Sequence, residues 1–228
     1  MAALVLLLLI RGFIYREMGA EVDWTPSIPL GPIVLTFRSD FPARIFIFSF
    51  LSFAVCLGIF YTSLLLLSVV NQSLPEGNPH QRWVRARLGL LERWPRWAKL
   101  LLPWFGLTLG WLALSPLLVR FNFVPQTKSA KLLVEQAALI GLGSYLCWKI
   151  LIAVILAAHI VNTYVYLGNA PFWNFLNPTA KAFLKPLSFL PLHLGKFDFA
   201  PVIMMILVFA LSEGIARALT RLYSGLAV

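Results

Sequence analysis

Two stretches of this chain carry no charged side chain for the length of a bilayer: Ile45 to Val70 is 26 residues long and Leu100 to Val119 is 20. A helix needs about 20 apolar residues to cross a hydrocarbon layer of about 30 Å, so both read as spans. Leu132 to Tyr166 is longer, interrupted only by Glu135, Lys149 and His159, and Phe199 to Ala216 holds the single charge Glu213. Four spans follow, and composition agrees. Hydrophobic residues make up 60% of the chain and charged ones 12%, against roughly 25% charged in soluble domains, and mean hydropathy is +0.82. The fold class expected is an all-α integral membrane protein.

The N-terminus is a weaker candidate. Met1 to Ile10 is apolar but closed by Arg11 and Arg16, and only by adding Gly12 to Tyr15 does it reach 15 residues, roughly 22 Å of helix. It lacks the basic start and small-residue cleavage site of a signal peptide. A short or truncated fifth span is expected, the alternative being an uncleaved leader.

Rare residues recur in one register. Asn71 and Gly77-Asn78 return 91 positions later as Asn162 and Gly168-Asn169, as do Cys56 in Cys147 and Pro95 in Pro186. That pattern reads as a degenerate tandem duplication. It divides the chain into an N-terminal hydrophobic segment with a non-cytoplasmic loop (1–43), a degenerate first two-span repeat (44–131) and a second repeat (132–228).

Net charge is +10, and its placement matters more than its size. Six basic residues (Arg82, Arg85, Arg87, Arg93, Arg96, Lys99) crowd the loop after the first span against Glu76 and Glu92. The matching loop of the second half has Lys181, Lys185 and Lys196 against Asp198, while Arg11 to Arg44 is balanced. The positive-inside rule puts both basic loops in the cytoplasm. Charge spread along membrane edges suits anionic lipid headgroups and does not form the basic face of a nucleic-acid binder. The three histidines, His80, His159 and His193, have no zinc-like spacing, and both cysteines fall inside spans. No catalytic constellation, metal set or cofactor motif emerges.

Both basic loops read as amphipathic helices on the membrane surface. Phe172, Phe175, Leu176, Ala180, Phe183, Leu184 and Leu187 follow the spacing of one helical face. Asn177 before Pro178 suggests an N-cap and first turn, and Pro186 an end. In the first loop, Trp83, Trp94, Trp97 and Trp104 accompany the arginines, an interfacial mixture. Asp198 is placed to cap the last span, with Pro201 in its first turn. Between Glu21 and Arg44, Ile33 to Phe37 has the β-branched content of a short extended piece, in a segment read as a lid or partner-binding loop.

The stretch Asn169-Ala170-Pro171-Phe172 through Phe183-Leu184-Lys185-Pro186, then Gly195, Asp198 and Pro201 before an apolar helix, resembles the YggT (YlmG) family of small bacterial and plastid membrane proteins. The likeness covers Ile140 to Val208 and, through the repeat, weakly Val55 to Val119. It departs at Ser188-Phe189, where the family usually has a basic pair, and at Ala200, where it usually has Ser. The resemblance implies a bacterial inner-membrane, multi-pass, non-enzymatic protein built from two-span units and associated with assembly or organisation at membranes.

Two functions are expected to compete. One is a scaffold, assembly factor or accessory subunit contacting other membrane proteins. The other is a small channel or transporter in osmotic or ion homeostasis, which would use the intramembrane Lys149, His159 and Glu213. His159 is also the only in-membrane candidate to contact a haem or pigment, although a lone His near a helix end more often serves as a hydrogen-bonded interfacial residue. Lys149 lies roughly 20–24 Å before the exit of its span and Glu213 roughly 22 Å into the last one. Equal heights permit an ion pair, independent snorkelling or an ion site.

Overall fold

The computed structural model describes residues 2–21, 24–37, 42–72, 78–127, 129–165, 170–190, 192–194 and 197–226. Its helices are α1 (Ala2–Glu21), α2 (Pro42–Val70), α3 (Pro79–Leu88), α4 (Arg96–Arg120), α5 (Ala130–Leu142), α6 (Trp148–Tyr164), α7 (Pro171–Leu184) and α8 (Ala200–Leu226). Two small antiparallel hairpins complete the described elements: β1 (Ser27–Leu30) with β2 (Ile33–Thr36), and β3 (His193–Leu194) with β4 (Phe197–Asp198). A 3₁₀ turn, Gly143–Cys147, joins α5 to α6 in one helical run, Ala130–Tyr164. That run, α2, α4 and α8 are long and apolar enough to cross a membrane, so the chain is an all-α membrane protein.

Contacts group the chain into two compact units that cut across the sequential segments 1–43, 44–131 and 132–228. One comprises Met1–Phe60, Trp104–Ser144 and Leu219–Val228, the other Tyr61–Pro103 and Tyr145–Ala218. Cys56 and Cys147, matched by the repeat register, fall in different units. Cys56 sits within α2, and Cys147 ends the 3₁₀ turn.

The first unit is built around a hairpin that sequence suggests only as one extended piece. Ile33–Thr36 pairs with Ser27–Leu30 in the register Ile28↔Leu35 and Pro29↔Val34. Alternation puts Ile28, Leu30, Leu35 and Phe37 inward, all buried. They pack with Phe48 and Leu51 of α2, Trp111 and Leu118 of α4, and Ala137 and Ile140 of α5. The segment is therefore core, not a free lid. Gly31 (φ 64°) holds the first central position of the two-residue turn, the place a type II′ hairpin reserves for glycine. The turn rests on the helix break: a Cβ on Gly31 would lie 2.8 Å from the Gly143 Cα, and one on Gly143 would lie 2.5 Å from the Gly31 Cα. Backbone meets backbone where α5 gives way to the 3₁₀ turn.

Helix α1 runs 20 residues, further than the 15 expected. It carries Arg11, Arg16, Glu17 and Glu21 and is not among the four span-like helices. Leu8 is buried, and its carbonyl accepts a hydrogen bond from the Ser49 hydroxyl of α2 (2.9 Å). Arg11 donates to Tyr15 Oη (2.9 Å) and Ser52 Oγ (3.0 Å), so its charge is held on the α1–α2 contact.

In the second unit the two amphipathic helices pack on each other. Val84 and Leu88 of α3 join Leu64 and Leu65 of α2 and Phe175 of α7, while Leu176 and Ala180 of α7 join Ile155 and Leu156 of α6. Asn78 caps α3, its carboxamide oxygen accepting from the His80 N–H (3.0 Å). Helix α7 begins at Pro171, about two turns before the start at Pro178, capped by Asn177, that sequence suggests. Pro178 lies inside it, leaving the exposed Asn174 carbonyl without its usual i+4 donor. The apolar face beginning at Phe172 outweighs that lost bond, and Asn177 turns to His159 instead. Trp104, grouped by sequence with the interfacial tryptophans, lies within α4 and donates to the Ala138 carbonyl of α5 (3.0 Å).

Replacing Gly143 by Ala is expected to cost roughly 1–3 kcal/mol, the penalty of overpacking. Gly110→Ala, where a Cβ meets nothing within 4 Å, is expected to be neutral or slightly stabilising. Unfolding in mixed micelles followed by tryptophan fluorescence measures both.

Candidate functional site

The described polar chemistry of the second unit concentrates where α2 ends, α3 and α7 cross and α4 begins. Gly89, with φ 54°, terminates α3 by donating its N–H to the Arg85 carbonyl, and the following 3₁₀ turn brings Glu92 back against α2 and α4. Lys99 is 3% exposed, with its Nζ 3.1 Å from Glu92 Oε2 and donating to Ser68 Oγ (2.8 Å). The Ser68 hydroxyl donates to the same carboxylate (2.6 Å), and Arg85 Nε stands 3.7 Å from its other oxygen. One carboxylate thus organises two cations and a hydroxyl. Beside it the buried Asn71 accepts from the Thr179 hydroxyl (2.9 Å) through its side chain and from Gln81 Nε2 (3.2 Å) through its carbonyl. Its Nδ2 and Gln81 Oε1 are buried without a hydrogen-bond partner among the described residues. Arg96 Nε donates to Gln72 Oε1.

Next to this cluster lies an open groove of about 1190 Å³. Val69 and Val70 of α2, Leu184 of α7, and Leu187, Phe189 and Leu190 beyond it supply apolar walls; Arg96, Lys181 and Lys185 supply positive charge, and Asp198 the one acidic side chain. Lys181 and Lys185 are one turn apart, both exposed. The Asp198 carboxylate accepts from the Ala200 N–H (2.9 Å), and its own N–H donates to Tyr164 Oη (2.9 Å). It therefore supports the start of α8 as well as the groove wall.

Among the described residues, those singled out by sequence do not form one site. Asn169 and Gly195 lie outside the described residues. Pro171 opens α7, and its carbonyl accepts a long bond from Asn78 Nδ2 (3.5 Å). Phe172 packs edge-on to His80, ring centroids 5.7 Å apart. Pro186 stands in the 3₁₀ turn Lys185–Leu187 after α7, and Pro201 is buried in the first turn of α8. His159 is tied through Nδ1 to Asn177 Oδ1 (2.9 Å). That bond occupies one imidazole nitrogen and leaves Nε2 as the only position for any haem or pigment contact. Glu213 does not reach Lys149. It binds Arg217 one turn along its own helix (2.9 Å), and Lys149 has no ion pair among the described residues. Residues four apart are neighbours on a helix surface, which puts Arg217 within reach of Glu213 whatever the neighbouring helices do. Sequence counted Lys99 and Glu92 only as loop charges; the signal missed was a lysine directly abutting the apolar run from Leu100. No group of three or more metal-ligating side chains occurs among the described residues.

No protein-family model, curated protein or solved structure matches this chain.

Removing one partner of a buried ion pair leaves the other charged and desolvated, typically a loss of roughly 3–5 kcal/mol. Glu92→Ala is expected to destabilise the protein by about that much, whereas Glu92→Leu combined with Lys99→Met should recover most of the loss; chemical unfolding in micelles reads both. Asp198→Ala should cost roughly 0.5–2 kcal/mol, as for a lost helix cap, measured in the same assay.

Proposed function

We propose that this chain is a YggT-like, multi-pass protein of a bacterial inner membrane. In this reading it acts without catalysis, as a scaffold, assembly factor or accessory subunit, with its basic loops in the cytoplasm. The observation that carries the reading is the state of α8. Only 6% of its most apolar window is buried within the chain, against 28%, 22% and 28% for the other three spans. Ile206, Leu211 and Ile215 are exposed, and so are both members of the Glu213–Arg217 pair, 57% and 72%.

Apolar exposure alone is ordinary for a lipid-facing helix. A carboxylate 13 residues beyond Ala200, roughly 20 Å along the helix, is not. Ionisable groups at membrane depth ordinarily face protein or water. Ala210, Gly214 and Ala218 share a strip one turn apart and are exposed, and a Cβ on Gly214 would meet nothing within 4 Å. Small residues at this spacing let a second helix approach closely. A partner helix on this strip would cover the ion pair and remove it from hydrocarbon.

A photo-crosslinking side chain at Leu211 in native membranes is expected to yield a discrete protein adduct, and Gly214→Leu to abolish it. The same probe at Leu6 of α1 serves as the exposed control. Adducts with lipid alone, together with ion flux in reconstituted vesicles that Glu213→Gln eliminates, would replace the scaffold reading with a channel.

A further inference from the structure

We infer that the groove beside α7 is a binding site for one anionic phospholipid drawn from the surrounding bilayer, its phosphate held by Lys181, Lys185 and Arg96. The inference is independent of the scaffold reading.

Charge supports it first. The basic loops hold many cations, but Lys99 and Arg85 are committed to Glu92. Lys181 and Lys185 have no ion pair among the described residues, and Arg96 spends its Nε on Gln72 while its two terminal amino groups remain donors. Three cations therefore line one groove against Asp198 alone, whose carboxylate already accepts from Ala200. The excess is positive, and Lys and Arg are the usual phosphate donors.

Shape and polarity decide what kind of anion. The groove's volume, about 1190 Å³, exceeds the roughly 300–1,000 Å³ typical of small-molecule pockets, and it is open along one side. Val69, Val70, Leu184 and Leu187 provide apolar wall beside the cations, and Phe189 and Leu190 stand 77% and 42% exposed next to them. A free phosphate uses none of that surface. An amphiphile uses both halves: its headgroup on the lysines, its acyl chains along the valines and leucines. Lys181 lies in α7, where Leu176, Thr179 and Ala180 are buried, and Lys185 one turn on opens the 3₁₀ turn that follows it, so both cations are carried on packed helical backbone.

The experiment uses the full chain in phosphatidylcholine nanodiscs and titrates in phosphatidylglycerol, reading retained lipid by native mass spectrometry. Selective retention of phosphatidylglycerol is expected. Lys181→Gln with Lys185→Gln should weaken it about 30-fold, taking about 1 kcal/mol per cation near an anionic lipid surface and 1.4 kcal/mol per tenfold. Lys181→Arg with Lys185→Arg should keep it. Arg93→Gln with Lys131→Gln removes the same charge away from the groove and should leave binding unchanged. Equal weakening by that control pair would show general surface attraction and overturn the site. Complete displacement by millimolar inorganic phosphate, or equal retention of phosphatidylcholine, would overturn it as well. Unchanged tryptophan emission in each variant reports that it has folded.

Discussion

Hydrocarbon offers no hydrogen bonds, so any backbone or side-chain polar group at membrane depth must find its partner inside the protein. Most features of this chain follow from that constraint. The spans are helical because a helix satisfies its own backbone. The 3₁₀ turn Gly143–Cys147 and the first residue of α6 carry polar side chains that find acceptors on neighbouring helices. Tyr145 Oη donates to the Leu100 carbonyl (2.7 Å) and Trp148 Nε1 to the Thr62 carbonyl (3.2 Å). The β1–β2 hairpin meets the same requirement by pairing with itself. Two glycines let its turn press against the start of the break, and its inward face becomes the centre of the first unit's core.

Charges obey the same rule. Arg11 is held by Tyr15 and Ser52. Arg44 donates to the Phe121 carbonyl (3.2 Å) and lies over the Phe123 ring. Lys99 is neutralised by Glu92. Two features among the described residues stand apart from these held charges. Glu213 and Arg217 neutralise each other yet are exposed, and Lys181, Lys185 and Arg96 line the α7 groove against the single acidic side chain Asp198. A protein helix at the first and an anionic lipid at the second are the proposed occupants.

Much of the architecture was legible because hydrophobic run length is a direct measure of bilayer thickness; Ile45–Val70 and Leu100–Val119 fall inside α2 and α4 as read. The apolar face of α7 was visible for a related reason, its 3.6-residue period. What escaped the sequence depends on contacts between distant residues. Ser27–Leu30 is only four residues long and carries Pro29, so its strand identity comes from pairing with Ile33–Thr36 and from a core on one side. Asn177-Pro178 carries the local signature of a helix start, and tertiary packing of Phe172 and Phe175 overrode it. Glu92 looked like a minor offset in a basic loop because nothing in its neighbours reveals that Gly89 turns it back onto Lys99. Equal helical heights for Lys149 and Glu213 said nothing about azimuth, and the choice of partner fell to Arg217. The Cys56/Cys147 register pairs an α-helical residue with a 3₁₀ one, an environment that residue identity alone does not disclose.

The segment between α1 and α2 is folded into the protein as core, with its hairpin turn seated on the 3₁₀ turn that follows α5. Hydrogen–deuterium exchange of the peptide covering residues 27–37, with the chain in lipid nanodiscs, tests it most directly. Burial of Ile28, Leu30, Leu35 and Phe37, and the Phe37 N–H bond to the Pro26 carbonyl (2.8 Å), predict protection approaching that of α5, lasting minutes to hours. Complete exchange within seconds, at the rate of an open surface loop, would contradict the account.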